Sequence, residues 1–203
     1  MVREKILHKA TDMFLTYGFK SVTMDDIANT MGISKKTIYT YYKNKTKLVE
    51  ASTLYLFETI SQGICVIQEQ EVDAIAELFG IRTVVMQHLK DEKSSPQYQL
   101  QKYYPNIYGM LQKRQFDVVK DCIQENIDKG IREGHYRPDI SRDFVAKIYF
   151  ACLMALKDSQ LFPIDQYAQK DLMNLYLEYH IRAIVTLEGL KILETIIDND
   201  KPS

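Results

Sequence analysis

The stretch TMDDIANTMGISKKTIYTYYKNK, residues 23–45, decides the reading of this chain. Thr23 opens one short helical pattern, and Ile27, Ala28 and Met31 give it an inward face. Gly32 follows, a residue suited to the tight turn between two helices set at a steep angle. Ser34 then opens a second pattern. At about 100° per residue, Ile38 and Tyr42 fall together on the side of the core. Lys36 and Thr40 lie opposite, with Thr37 and Tyr39 flanking them. Lys35 and Lys36 occupy the first turn, where the positive end of the helix dipole disfavours cations. An anion such as a phosphate would relieve that arrangement. The stretch predicts a helix-turn-helix whose second helix is built to meet an anion.

The neighbouring segments fit this centre. Ile6, Ala10, Met13, Phe14 and Tyr17 recur at helical spacing and predict a first helix from Arg3 to Tyr17, stopped by Gly18. Thr23 with Asp26 approximates a capping box, and Asp25 and Asp26 complement the helix dipole. Adjacent helical residues diverge by about 100°, so this acidic pair is not a convergent catalytic or metal-binding pair. Asn44 or its neighbours open a fourth helix through Leu48, Tyr55, Leu56 and Ile60, which bends or ends near Ser61–Gly63.

Beyond that, helices are predicted over Val72–Leu89, within Tyr98–Tyr104, and from Asn106 to Glu133, with a loop at Asp91–Pro96 and a break at Pro105. Gly134–Asp139 reads as a loop. Ser141 caps a helix carrying Phe144, Val145, Ile148, Tyr149, Cys152 and Leu156. A last long helix begins near Asp165, with a kink expected at Gly189.

Composition agrees with a helical protein. The 203 residues include only 8 Gly and 5 Pro, and 46% are hydrophobic, enough for a real core. Net charge is −1, but residues 1–50 hold nine Lys and Arg against five Asp and Glu, and the remainder 17 against 22. The basic excess therefore lies with the helix-turn-helix. Cys65, Cys122 and Cys152 are widely spaced and read as small buried hydrophobes. The four histidines have no metal-ligand spacing. No cofactor and no metal are implied. With no signal peptide and no membrane-spanning run, a cytoplasmic location is expected.

Residues 3–49 present, in order and at fixed spacing, a helix ending Tyr17-Gly18-Phe19, then Val22-Thr23-Met24-Asp25-Asp26-Ile27-Ala28, then Met31-Gly32-Ile33-Ser34-Lys35-Lys36-Thr37-Ile38-Tyr39 and Lys45-Thr46-Lys47-Leu48. This closely resembles the DNA-binding domain of TetR-family transcriptional regulators. The segment Gly130–Asp139 also resembles the loop before that family's penultimate helix. The resemblance implies an all-α fold: a three-helix helix-turn-helix domain at 1–47 and a helical effector-binding and dimerisation domain at 48–203. It implies a homodimer, a small-molecule effector and release of operator DNA when the effector binds.

Residue roles follow from the matched positions. Thr23, Tyr39, Tyr41 and Lys45 are expected to hold the DNA backbone. Ser34 and Lys35 begin the recognition helix, and Lys36, Thr37 and Thr40 are expected to read base edges. Tyr41 departs from the histidine frequent at that place, and Tyr42, where phenylalanine is usual, reads as core. Tyr103, Tyr108, Phe116 and Tyr149 are candidate walls of a pocket for an apolar or aromatic effector, although helical packing explains aromatics at this spacing equally well. The helices near 142–160 and 166–188 are the dimer-interface candidates.

The resulting expectation is a ligand-responsive dimeric repressor on near-palindromic operator DNA. The alternative is a DNA-bound architectural or division-linked protein without an effector. A sensor that has lost its DNA role is opposed by the intact Lys35-Lys36-Thr37 and Tyr39. No nucleophile–base pair or phosphate loop supports an enzyme.

Overall fold

The structure is a computed structural model that describes residues 2–88, 96–158, 160–163 and 165–200. The expected loop at Asp91–Pro96 lies largely outside these residues. The described chain is helical: α1 (Val2–Tyr17), α2 (Met24–Met31), α3 (Lys35–Tyr41), α4 (Lys45–Gln68), α5 (Ala74–His88), α6 (Pro96–Tyr103), α7 (Pro105–Arg132), α8 (Arg142–Ala155), α9 (Gln169–Ile184) and α10 (Leu187–Asp200). Among the described residues, no helix is long and apolar enough to cross a membrane.

Packing divides the chain into residues 1–61 with 87–115, and 62–86 with 116–203. This partition differs from a cut between residues 47 and 48.

In the first unit, Ile6, Ala10 and Phe14 of α1, Ile27 of α2, Ile38 of α3 and Leu48 of α4 are completely or almost completely buried in one core. Leu100 of α6 and Ile107 of α7 belong to the same core. The periodicity of α1 is borne out except at Tyr17, which is 62% exposed. It sits in the last turn beside Gly18, where the chain leaves the helix.

The core of the second unit draws on Ile75, Leu78, Ile127, Leu177, Ile181 and Leu193. A buried polar group is set into it. Asn126 Nδ2 donates to Ala74 O (2.8 Å) and Glu77 Oε1 (2.7 Å), and Lys129 Nζ meets Glu77 Oε2 at 2.6 Å. Tyr136 Oη donates to Asn126 Oδ1 at 3.1 Å. Each polar partner thereby offsets the desolvation of the next.

Three helix boundaries differ from expectation, one being the start of α9 at Gln169 and not near Asp165. The α4 helix does not end at Ser61–Gly63 but runs on to Gln68. One glycine costs a helix only about 1 kcal/mol, too little to end one that packs along its length. The last long helix breaks at Val185, not at Gly189. Val185 is extended and pairs with Tyr136 in an isolated antiparallel bridge. Arg137 N–H donates to Ile184 O, and Thr186 N–H to His135 O, each at 2.9 Å. Thr186 Oγ1 then accepts from Gly189 N–H at 3.2 Å and restarts the helix. Gly189 is required for close approach: a Cβ there would lie 2.2 Å from His135 O.

Candidate nucleic-acid interface

Local chemistry fixes both helices of the motif. At the start of α2, Thr23 Oγ1 accepts from Asp26 N–H (3.2 Å), and Asp26 Oδ2 accepts from Thr23 N–H (2.8 Å), a reciprocal capping box. The Thr23 hydroxyl also donates to Asp26 Oδ2 at 2.8 Å. These bonds hold the Asp26 carboxyl below the ordinary carboxylate range, the backbone N–H of Thr23 contributing most. Gly32 closes α2 at φ +64°, and Ile33 N–H reaches back to Ala28 O at 3.0 Å.

Ser34 Oγ caps α3, accepting from Thr37 N–H at 3.1 Å and lying 2.8 Å from Thr37 Oγ1. Ile38 is fully buried and Tyr42 nearly so, and the Arg3 guanidinium stands 6.0 Å from the Tyr42 ring. The recognition helix is thus pinned on one side and capped at its start.

The remaining positions of α3 face outward. Lys36 and Thr40 are exposed, and Tyr39 and Tyr41 are 44% and 43% exposed. Thr37 is half-buried, and the Thr40 hydroxyl donates to Lys36 O at 3.0 Å, leaving its lone pairs toward solvent. Lys35 is different. Its position on the wheel borders the buried side, and its Nζ meets Asp25 Oδ2 at 2.7 Å, which raises the ammonium pKa. The anion that a first-turn lysine calls for is supplied from within the chain. Lys45 is half-buried, and its Nζ donates to Lys20 O at 3.1 Å. Burial lowers its pKa, with Asp26 opposing that shift. Thr23, Ser34, Lys36, Thr37, Tyr39, Thr40, Tyr41 and Lys45 therefore all lie on the capped motif, while Lys35 is engaged at its edge.

The aromatic candidates are assigned to both units. Tyr103 and Tyr108 belong to the first unit, and Tyr108 Oη accepts from Gln112 Nε2 at 2.8 Å. Phe116 and Tyr149 belong to the second, where Phe116 packs edge-on against Phe150 at 5.2 Å. Tyr149 lines a cavity of about 80 Å³ with Leu78 and Arg82 of α5, Val119 and Cys122 of α7, and Met173 of α9. Arg82 and Cys122 were not among the sequence candidates. Arg82 stands on the otherwise apolar stripe of α5 with Phe79 and Val85, and a cation on such a stripe was the available signal. Its Nη1 donates to Asn174 Oδ1 at 2.8 Å, and its guanidinium lies 5.0 Å from the Phe79 ring. Burial pushes the Cys122 thiol up to about 12. Cys65, expected inside, is exposed.

Comparison with known proteins agrees with this geometry. A family model described as bacterial regulatory proteins, tetR family, matches residues 6–52. The chain is 23% identical over 184 residues to the uncharacterised HTH-type transcriptional regulator YhgD of Bacillus subtilis, covering 86% of this chain and 93% of that protein. It is 23% identical over 150 residues to the HTH-type transcriptional repressor KstR2 of Mycolicibacterium smegmatis, covering 70% and 71%. A TetR-family regulator from Marinobacter aquaeolei shares the fold over the whole of both chains, with a TM-score of 0.74 at 14% identity. The capped helix-turn-helix of residues 6–52 thus matches the DNA-binding domain of the tetR family of bacterial regulatory proteins, and the all-helical architecture is one that such regulators share.

Proposed function

We propose that this regulator is a dimeric repressor that holds near-palindromic operator DNA and lets it go when a small apolar effector enters the second unit. The observation that carries the DNA reading is the outward face of α3. Lys36 and Thr40 stand at its centre and Tyr39 and Thr37 at its margins, on a helix whose opposite side is locked by Ile38 and Tyr42. Lysine can reach guanine O6 and N7, and threonine suits a base edge or a thymine methyl. Thr23, Ser34, Tyr39, Tyr41 and Lys45 supply backbone contacts, and Lys35 joins them if phosphate displaces Asp25.

Dimerisation is supported by apolar side chains with no cover in the single chain. Phe144 and Ile148 of α8 are 62% and 43% exposed, and Leu175 and Tyr179 of α9 are 64% and 73% exposed. Each pair is spaced i, i+4, so each helix presents a continuous apolar strip. Two such helices from each protomer make a four-helix interface. The two recognition helices would then address half-sites about 34–36 Å apart, or a multiple of that.

The effector reading rests on the cavity at Tyr149, whose walls are apolar apart from Arg82 and Cys122. A volume of about 80 Å³ is well below the several hundred Å³ of a drug-sized site, so an effector has to part these helices to enter. The KstR2 relative is a transcriptional repressor, which supports the same role here.

The test is selection of bound fragments from a genomic library by the purified protein, beside a Lys36→Ala, Tyr39→Ala variant. One or a few near-palindromic sites, lost in the variant, are expected. Many dispersed sites would replace the repressor reading with an architectural protein, and no enrichment would remove the DNA reading.

A further inference from the structure

The α6 helix lies outside the motif in sequence but inside its unit in space. Leu100 is 2% exposed in the core shared with α1–α3. Tyr104 meets the Phe19 ring edge-on at 6.3 Å. Gln99 Oε1 accepts from Lys20 N–H at 2.9 Å. These contacts seat α6 on the turn between α1 and α2.

Seating α6 there brings two cations together. Lys20 Nζ lies 5.1 Å from the centroid of the Tyr103 ring, and Lys102 Nζ lies 5.7 Å from the same centroid. Lys102 Nζ is also 5.5 Å from the Tyr98 ring and 3.4 Å from its hydroxyl. Tyr98 and Tyr103 are 53% and 38% exposed, both lysines are exposed, and α6 contains no acidic residue. Among the described residues, neither lysine is paired with a carboxylate. Gathering two ammonium groups about one exposed ring raises their mutual repulsion, which a bound anion relieves.

The place of this cluster identifies the anion. Lys45 Nζ donates to Lys20 O, and Lys45 in turn feels the Asp26 carboxylate of the Thr23 capping box. Lys45 therefore links the Lys20 backbone to the corner of α2 proposed to hold a phosphate, and the Lys20 side chain carries the charge on to the Tyr103 ring. We infer that Lys20 and Lys102, splayed on Tyr103, form a second phosphate-binding platform that grips the DNA backbone outside the base pairs read by α3. The platform rests on the reading of α2 and α3 as DNA-binding helices. It makes α6 a direct DNA-contacting element, so that a shift of α6 would remove backbone contacts as well as reposition the motif.

The test uses the full chain and the duplex it selects, in one form carrying about 15 flanking base pairs and in another trimmed to the core site. Lys20→Gln and Lys102→Gln are compared with the parent and with Lys36→Ala. Both glutamine variants change exposed side chains, and thermal melts check that they remain folded. On the long duplex each is expected to weaken binding by about 3- to 10-fold near 0.15 M salt, and to lower the log–log salt slope by about 0.9 per protomer. On the trimmed duplex the variants and the parent should bind alike. Parental affinity and slope for both variants on the long duplex, with Lys36→Ala defective, would overturn the platform and leave the helix-turn-helix reading standing. If the parent selects no duplex, both readings fall together.

Discussion

Lys35 Nζ and Asp25 Oδ2 lie 2.7 Å apart, tying the first turn of α3 to the first turn of α2. The ion pair answers a local conflict, a lysine at the positive end of a helix, with a carboxylate ten residues earlier. Both groups are exposed, with side chains 44% and 60% accessible, so water and salt screen the pair and it can open. A phosphate arriving at this edge competes with Asp25 for the same ammonium.

That competition predicts the effect of Asp25→Asn. Neutralising Asp25 frees Lys35 and removes a negative charge from the DNA-facing edge. Affinity for operator and for unrelated duplex should both rise, by roughly fivefold near physiological salt, because the gain is in backbone contact and not in base reading. Fluorescence anisotropy on the two duplexes measures both. Unchanged affinity for both would mean that Lys35 makes no phosphate contact.

What could be read from the sequence was what is decided within a few residues. Thr23, Gly32 and Ser34 act on neighbours no more than a few positions away, and the burial of Ile38 and Tyr42 follows from helical period alone. Asp25 was read as a helix-dipole complement because its actual partner, Lys35, lies on another helix. The end of α9 was misplaced for the same reason: Val185 leaves the helix to pair with Tyr136, 49 positions away in the chain. The aromatic run from Tyr98 to Phe116 suggested a pocket wall, but sequence spacing alone does not say which helices complete a cavity. Its members divide between two units, and Tyr149 instead joins Arg82 and Cys122, contributed by α5 and α7.

The uncovered strips on α8 and α9 predict the oligomeric state. Leu175→Asp with Tyr179→Asp places charge on two of the most exposed apolar positions. Neither residue is buried, so helicity and the melting temperature of the isolated fold should stay near the parent's. Sedimentation at micromolar concentration should shift from dimer to monomer, since an unpaired charge in an interface core is strongly disfavoured. Operator affinity should fall with it, because a single recognition helix binds a half-site alone. Parent-like sedimentation of the double variant would mean that this face is not the interface.

Gly130 in α7 gives a prediction in which two effects oppose each other. Alanine is the better helix former by about 1 kcal/mol. A Cβ at this position would stand 2.1 Å from Cδ2 of Tyr136, whose ring is 1% exposed and whose hydroxyl is committed to Asn126. The ring cannot retreat without breaking that buried bond, so the overpacking cost falls near the top of its usual range, about 3 kcal/mol. The steric cost wins. Gly130→Ala should lower the melting temperature by about 4–8 °C at a net loss of roughly 2 kcal/mol. A rise in melting temperature would show that Tyr136 can move.

His180 carries the pH prediction. It is 6% exposed, lies 4.8 Å edge-on from the Tyr149 ring, and its Nε2 has no hydrogen-bond partner among the described residues. Burial lowers its pKa to about 4 from an ordinary 6.5. Above pH 6.5 the residue is neutral whether the chain is folded or not, and it contributes nothing to pH dependence. Between 6.5 and 4 the unfolded chain takes up a proton that the folded chain refuses, so stability falls as pH falls. The full loss is on the order of 3 kcal/mol and is complete below about pH 4. Urea titrations from pH 7.5 to 4.5 on the parent and on His180→Leu isolate this contribution, since other groups titrate alike in both. The variant loses the ring contact with Tyr149 and starts lower, but its stability should decline less steeply with acid. Equal slopes in the two proteins would place His180 in contact with solvent.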